Sequence, residues 1–95
     1  MIGYVYILEC NNGTYYTGST VNIDKRIKEH EAGMGSNHTK KHLPVKLVYY
    51  EKFQEINEAF YREKQIQGWS RLKKQALINS TPELLPELSK SKKIK

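Results

Sequence analysis

The sequence predicts an α/β fold of the α+β type, in which a small three-stranded antiparallel sheet is flanked by about three helices. Three short runs are rich in aromatic and β-branched residues, and the stretches after the second and third runs show the periodicity of amphipathic helices. The resulting order, ββαβαα, combines a hairpin with a long return that packs helices on the sheet. Of the 95 residues, we expect 1–80 to form one domain and 81–95 to form a basic, flexible tail.

The strands are predicted at Gly3–Glu9, Thr14–Ser19 and Val45–Glu51, because tyrosine, valine and threonine favour extended structure. Between the first two strands lies Asn11-Asn12-Gly13, which is typical of a short hairpin turn. The chain therefore opens with a tight antiparallel hairpin.

The length of the hairpin turn decides whether the hairpin can build a site. A three-residue loop with Gly13 in the left-handed conformation would set Tyr6 opposite Gly18. Tyr16 would then be a diagonal neighbour of Tyr6 on the same face, whereas a two-residue turn would place the tyrosines on opposite faces. In the first case we expect Gly18 to leave an open space beside Tyr6, through which a ligand approaches the sheet.

The helices are predicted from cap residues and from the spacing of apolar residues. They run from a cap at Asn22 to about Gly33, from Glu55 to about Gln67, and from a cap at Ser70 to about Asn79. Residues 33–44, which are rich in glycine and basic residues, are predicted to form a loop.

One carboxylate interrupts the apolar stripe of the second predicted helix. Glu63 lies three residues after Phe60 and three before Ile66, on the face that also carries Ile56 and Ala59. The loss of solvation at such a position predicts that Glu63 pairs with a cation, binds a metal or becomes protonated. The alternative is a partly exposed carboxylate at the edge of the stripe, tied to a neighbouring Lys or Arg.

The first predicted helix carries two cationic residues beside its apolar stripe. Arg26 and His30 are one helical turn apart and flank the stripe formed by Ile23 and Ile27. They are therefore expected at the boundary between core and solvent. This pair suits phosphate binding or a carboxylate clamp, although arginines at helix edges also occur without a function.

The positive charge is concentrated in the C-terminal part of the chain. Residues 1–60 hold seven basic and seven acidic residues, whereas 61–95 hold nine basic and three acidic ones, which yields the net charge of +6. Such asymmetry predicts either a nucleic-acid partner or a solubilising tail. The single cysteine and the absence of any long apolar run predict a cytoplasmic protein without a membrane span.

These residues together resemble the GIY-YIG nuclease superfamily, and most closely its small stand-alone bacterial members. Tyr4-Val5-Tyr6 and Tyr16-Thr17-Gly18 match its two name motifs, with Thr17 and Gly18 as structural motif residues. Arg26 follows ten residues after Tyr16, His30 comes one turn later, and Glu63 lies on the next long helix. The chain departs from the motif in having Tyr4 and Val5 where the family has glycine and isoleucine.

The resemblance implies an endonuclease that hydrolyses DNA phosphodiesters with a divalent metal, in DNA repair or recombination. Glu63 would be the protein ligand to Mg²⁺ or Mn²⁺, and Arg26 would hold a phosphate oxygen. Tyr16 would be the general base and Tyr6 would position water or phosphate, although the two roles can be exchanged. Forming a free phenolate at neutral pH costs about 4 kcal/mol, so His30 is a competing base.

DNA is expected to be held through its backbone, with little sequence preference and strong dependence on salt. The substrate would be single-stranded, duplex or branched DNA, and a protein partner would supply any further specificity. The alternatives are a non-catalytic nucleic-acid-binding module and a subunit active only with that partner. The predicted DNA-binding residues are Lys40, Lys41, His42, Arg62, Lys64, Arg71, Lys73 and Lys74.

Overall fold

The N-terminal hairpin supplies the central strand and one edge strand of a three-stranded antiparallel sheet, in the order β2-β1-β3. The computed structural model describes residues 1–80, and the predicted basic tail at 81–95 lies outside them. The elements are β1 (Gly3–Glu9), β2 (Tyr15–Thr20), α1 (Ile23–Glu31), α2 (Asn37–Lys41), β3 (Lys46–Phe53), α3 (Ile56–Gln67) and α4 (Arg71–Ser80). The predicted fold class is confirmed, with one additional short helix.

The hairpin has the predicted three-residue loop. Gly13 adopts a φ of 84°, and its amide donates to the Cys10 carbonyl at 2.8 Å. The Cys10 amide in turn donates to the Thr14 carbonyl, also at 2.8 Å. Tyr6 consequently pairs with Gly18, as predicted. The left-handed conformation explains why glycine is needed at position 13.

The two faces of the sheet carry different helices, because side chains alternate along β1. Val5 and Ile7 point towards α3 and α4, where they pack with Ile66 and with half-buried residues of α4. Tyr6 and Leu8 point to the opposite face, where they pack with half-buried apolar residues of α1. Each face thus has its own apolar cluster, and the candidate site lies within the second one.

Side-chain caps fix where the helices begin. The Asn22 side chain accepts from the Lys25 amide at 3.1 Å, which confirms the predicted start of α1. Ser36 caps α2 in the same way, by accepting from the Thr39 amide at 3.1 Å. The predicted loop at 33–44 therefore contains a helix, which was missed because five residues are too short to show a periodic pattern. At α3, Glu55 forms a capping box.

An ion pair joins α3 to the sheet. Arg62 donates to both carboxylate oxygens of Glu51, from Nε at 2.9 Å and from Nη2 at 3.0 Å. The buried Tyr49 hydroxyl donates to the same carboxylate at 2.5 Å. The Trp69 ring covers the guanidinium with its centroid 5.1 Å away. Arg62 therefore has an intramolecular role in fixing α3, the helix that carries Glu63.

We predict that Arg62→Ala lowers the free energy of unfolding by about 2–3 kcal/mol, because the largely buried Glu51 loses its cation. Lys64→Ala is the matched control, since Lys64 is exposed on the same helix, and it should change stability by less than about 0.5 kcal/mol. Urea denaturation measures both values. Equal effects of the two substitutions would contradict the structural role of Arg62.

Candidate active site

The phenol of Tyr6 forms the floor of the candidate site. Its side chain is fully buried, and its ring lies across Gly18 on the neighbouring strand. A Cβ atom at position 18 would lie 2.6 Å from Cζ of Tyr6, too close for any side chain. The expectation of an open space beside Tyr6 is therefore wrong: Gly18 makes room for the tyrosine itself, and a ligand cannot enter there.

A buried hydrogen-bonded chain extends from Tyr6 into α1 and α2. The Tyr6 hydroxyl lies 2.9 Å from Nε2 of His30, and Nδ1 of His30 lies 2.8 Å from Oγ1 of Thr39. All three side chains have no exposed surface. The prediction that His30 stands at the boundary between core and solvent is wrong, since the imidazole lies inside the core and pairs with neutral groups.

A second glycine makes room for the imidazole. A Cβ atom at Gly35 would lie 2.6 Å from Cε1 of His30. The sequence reasoning missed Gly35 and Thr39 as parts of the site. The only local signal was Ser36, which stands three residues before Thr39 and could have been recognised as a helix cap.

Tyr16 lies on the same face of the sheet as Tyr6, as the register predicts. The two ring centroids are 6.4 Å apart, and the Tyr16 ring lies 5.1 Å from that of His30. Unlike Tyr6 and His30, Tyr16 is only half-buried. Of the three rings, it is the one with surface available to a substrate or to water.

Arg26 is half-buried beside the Tyr6 phenol, where it forms an ion pair with Glu29 at 3.0 Å. A groove that opens to solvent runs past this guanidinium, lined by Ser19 and Thr20 from β2 and by residues of α1. The predicted boundary position is thus confirmed for Arg26. Its guanidinium lies between the Tyr6 phenol and the groove.

Glu63 reaches β2 from α3 and is held by neutral donors. Ser19 donates to Oε1 at 2.5 Å, and Gln67 donates to Oε2 at 2.7 Å and to the Thr17 carbonyl at 3.3 Å. Within residues 1–80, no Lys or Arg nitrogen lies within 4 Å of this carboxylate, so a basic partner is ruled out there. Phe60, expected on the buried stripe, is 46% exposed.

Burial and nearby charges shift the pKa values of Tyr6 and His30. Burial raises the pKa of Tyr6 to about 12, and the charges of Tyr16 and Glu63 contribute in the same direction, whereas Arg26 lowers it. Burial also lowers the pKa of His30 below its ordinary 6.5, Arg26 lowers it further, and Glu29 opposes the shift. At neutral pH the phenol of Tyr6 is therefore protonated and the imidazole is uncharged.

The predicted DNA-binding residues fall into two groups. Lys40 and Lys41 are exposed on α2, on the site face of the sheet, and Lys64 is exposed on α3 next to Glu63. His42 is half-buried at the end of α2, and Lys74 is half-buried on α4.

The other basic side chains make contacts within the fold. Arg71 stacks on Tyr15 with 4.6 Å between guanidinium and ring centroid, and it donates to the Gly13 carbonyl. The ammonium of Lys73 lies 4.3 Å from the Trp69 ring centroid. Arg62 thus connects α3 to the sheet, and Arg71 connects α4 to the hairpin. Of the eight predicted residues, three lie on α2 or at its end, and five lie on α3 and α4.

The candidate site is built from the hairpin, α1 and α3, in this order along the sequence. This is the order that the motifs of the GIY-YIG nuclease superfamily predict. The family profile described as the GIY-YIG catalytic domain matches residues 2–76, and the chain belongs to this family. In the part of the chain described by the structure, no helix has the length and apolar character to cross a membrane.

The chain is similar to proteins named UPF0213. It is 49% identical over 81 residues to a UPF0213 protein of Syntrophus aciditrophicus, with 84% of this chain and 93% of that protein covered. The solution structure of the UPF0213 protein BH0048 from Bacillus halodurans has 40% identity and a TM-score of 0.58, and the match covers 86% of this chain and 87% of that one. The protein EF2693 from E. faecalis has 29% identity and the same TM-score, with 84% and 85% covered.

We predict that stability falls in acid because of His30. The folded protein binds a proton at His30 more weakly than the unfolded chain does, since its pKa lies below 6.5. As the pH falls through about 6.5, the unfolded chain is protonated first, and the free energy of unfolding decreases by at most about 1.4 kcal/mol per pH unit.

Urea denaturation at about pH 7.5 and about pH 5.5 measures this slope in the wild type and in His30→Gln. The variant should show a smaller loss of stability in acid, because His38 and His42 are present in both proteins and their contributions cancel. The same acid slope in both proteins would disprove the assignment to His30.

Proposed function

We propose that this protein is a metal-dependent endonuclease that hydrolyses DNA phosphodiester bonds with little sequence preference and acts in DNA repair or recombination. The observation that carries the proposal is that side chains from distant parts of the sequence meet near β2. The Tyr16 ring centroid lies 6.4 Å from that of Tyr6, Arg26 and Ser19 line one groove, and Ser19 donates to Glu63. A phenol, a guanidinium and a carboxylate are groups that phosphodiester hydrolysis can use.

Exposure supports Tyr16 as the general base among the three candidates left open by the sequence. Tyr6 and His30 have no exposed surface, so neither can contact an attacking water molecule in this arrangement. Tyr16 is half-buried and lies beside both. In this scheme Tyr16 takes the proton of the water, while Tyr6 and His30 maintain the hydrogen-bond network behind it.

Arg26 would bind the scissile phosphate. Its guanidinium is partly exposed to the groove and has donors beyond the one that contacts Glu29. A planar fork binds two phosphate oxygens and offsets the charge that develops in the transition state. Its interaction with the Tyr6 phenol would help to hold it beside the groove.

Glu63 is suited to hold a hard divalent cation. Ser19 and Gln67 use one lone pair on each carboxylate oxygen, which leaves further lone pairs free. No group of three or more His, Cys, Asp or Glu able to hold a metal occurs among residues 1–80, which favours a cation that keeps most of its waters. When bound, Mg²⁺ or Mn²⁺ would supply charge neutralisation at the phosphate and the leaving oxygen.

The DNA backbone would be bound chiefly by lysines near the site. Lys40 and Lys41 are exposed, and they carry no ion pair among the described residues. Lys64 is exposed as well, and its ammonium lies 4.8 Å from the ring centroid of the exposed Phe60. His42 and Lys74 could contribute at the margin. Arg62, Arg71 and Lys73 would contribute less than their charge suggests, because their side chains already contact Glu51, Tyr15 and Trp69.

We predict that Glu63→Gln abolishes metal-dependent cleavage, because the amide keeps the shape of the side chain but loses the charge that holds the cation. Labelled single-stranded, duplex and branched DNA would be incubated with Mg²⁺ or Mn²⁺ and resolved by denaturing electrophoresis. Glu31→Gln, which removes an exposed carboxylate on α1, is the matched control and should cleave as the wild type does.

The same DNA panel separates the enzyme from its alternatives. Retention of DNA without cleavage in any metal would favour the non-catalytic binding module. Cleavage that appears only after cell extract is added, and that Glu63→Gln abolishes, would indicate a subunit that needs a protein partner.

We predict that Tyr16→Phe slows single-turnover cleavage by about 10²–10⁴-fold, the contribution of a general base, without weakening DNA binding. The phenyl ring preserves the contacts with Tyr6 and His30 and removes only the hydroxyl. Tyr15→Phe is the matched control, since Tyr15 points to the opposite face. An unchanged rate for Tyr16→Phe would exclude Tyr16 as the base.

A further inference from the structure

We propose that Thr39 is a positioning residue that fixes His30 in the tautomer protonated on Nδ1, so that Nε2 accepts a hydrogen bond from the Tyr6 hydroxyl. This inference rests on the proposed nuclease function, in which Tyr6 lies between Arg26 and the general base. Thr39 is fully buried on α2 and touches no group that would meet the substrate. Its effect on the reaction would therefore be transmitted through His30.

The donor–acceptor direction of these hydrogen bonds follows from the partners that the Tyr6 hydroxyl requires. Its oxygen lies beside the Arg26 guanidinium, which can only donate hydrogen bonds. The single proton of a fully buried hydroxyl needs an acceptor, and among the described residues that acceptor is Nε2 of His30 at 2.9 Å. If Nε2 carried a proton instead, the Tyr6 oxygen would face two donors and its own proton would have no partner.

The hydrogen bond at Nδ1 of the imidazole requires the same donor–acceptor direction. With Nε2 unprotonated, the neutral ring carries its proton on Nδ1 and needs an acceptor there. Oγ1 of Thr39, at 2.8 Å, is that acceptor. The Thr39 hydroxyl is free to accept because its own proton is directed to the Ser36 carbonyl at 3.1 Å. In this series of hydrogen bonds, the donors of Tyr6, His30 and Thr39 then each have an acceptor.

The groups packed around the imidazole also hold the ring in one position. The charged and titratable groups that face His30 are Arg26 and Glu29 from α1, Tyr6 from β1 and Tyr16 from β2. Gly35 leaves no room for a side chain beside the imidazole, so the ring is enclosed where Thr39 can reach it. The α2 helix, which begins at the Ser36 cap, sets the position of that hydroxyl.

The consequence for the reaction concerns the Tyr6 oxygen. A phenol that donates a hydrogen bond to an imidazole gains negative character on its oxygen. That oxygen becomes a better hydrogen-bond acceptor for Arg26. The guanidinium would thereby be held where it can bind the scissile phosphate. Without the Thr39 hydroxyl, the imidazole could carry its proton on Nε2 and turn a donor towards Tyr6, which would disturb the contact with Arg26.

The test compares Thr39→Val, which removes the hydroxyl at nearly constant shape, with Thr39→Ser, which keeps it. Long-range ¹H–¹⁵N spectra of the histidine rings, recorded near neutral pH without DNA, report which ring nitrogen carries the proton. We expect Nδ1 of His30 to be protonated in the wild type and in Thr39→Ser. In Thr39→Val a substantial population should be protonated on Nε2.

Single-turnover cleavage adds the functional measurement. Thr39→Val should reduce the rate by about 10- to 100-fold, the usual effect of losing an orienting partner, with DNA affinity unchanged. Thr39→Ser should remain within about 3-fold of the wild type by the same reasoning. Recovery by a smaller residue that keeps the hydroxyl distinguishes positioning from packing.

A wild-type spectrum with Nε2 protonated would overturn the proposal, even if Thr39→Val does not fold. A folded Thr39→Val protein with unchanged tautomer and rate would overturn it as well. Failure of the wild type to cleave any DNA, with or without cell extract, would instead overturn the proposed nuclease function, while the spectra would still decide whether Thr39 fixes the tautomer.

Discussion

The pairing register of β1 with β2 is the constraint on which the rest of the site depends. The Gly13 loop places Tyr6 opposite Gly18 and puts Tyr16 on the same face. Because side chains alternate along a strand, a shift by one residue would move Tyr16 to the face covered by α3 and α4. No adjustment of the helices could bring it back. One left-handed glycine at the turn thus determines whether two phenols meet.

The same register turns the site into part of the core. Tyr6 belongs to the apolar cluster formed with Leu8, Cys10 and Val45, yet it also begins the chain of buried hydrogen bonds through His30. Burying such groups is costly unless each has a partner, and here each has one. Packing and chemistry therefore place the same demands on these residues. Gly18 and Gly35 are best explained as space for two rings, which a larger residue would displace.

Local signals in the sequence were sufficient for the hairpin and for the start of α1, and they reduced the pairing register to two alternatives. These features depend on the turn residue Gly13 and the cap residue Asn22, whose effects extend over only a few positions. The burial of His30 could not be predicted in the same way. It requires α2 to cover the imidazole with Thr39, a contact made by packing between α1 and α2. The periodicity of α1 alone placed His30 at the boundary between core and solvent.

The partners of Glu63 show the same limit. A carboxylate on an apolar stripe indicated an unusual environment, but it did not indicate Ser19 on β2 as the group that holds it. That contact requires α3 to lie at a fixed height on the sheet. The Arg62–Glu51 pair joins the same helix to β3, so part of the basic charge serves the fold. The charge asymmetry of the sequence therefore overstates the positive surface available to DNA. The exposed lysines near the site, rather than the net charge, determine where a polyanion would bind.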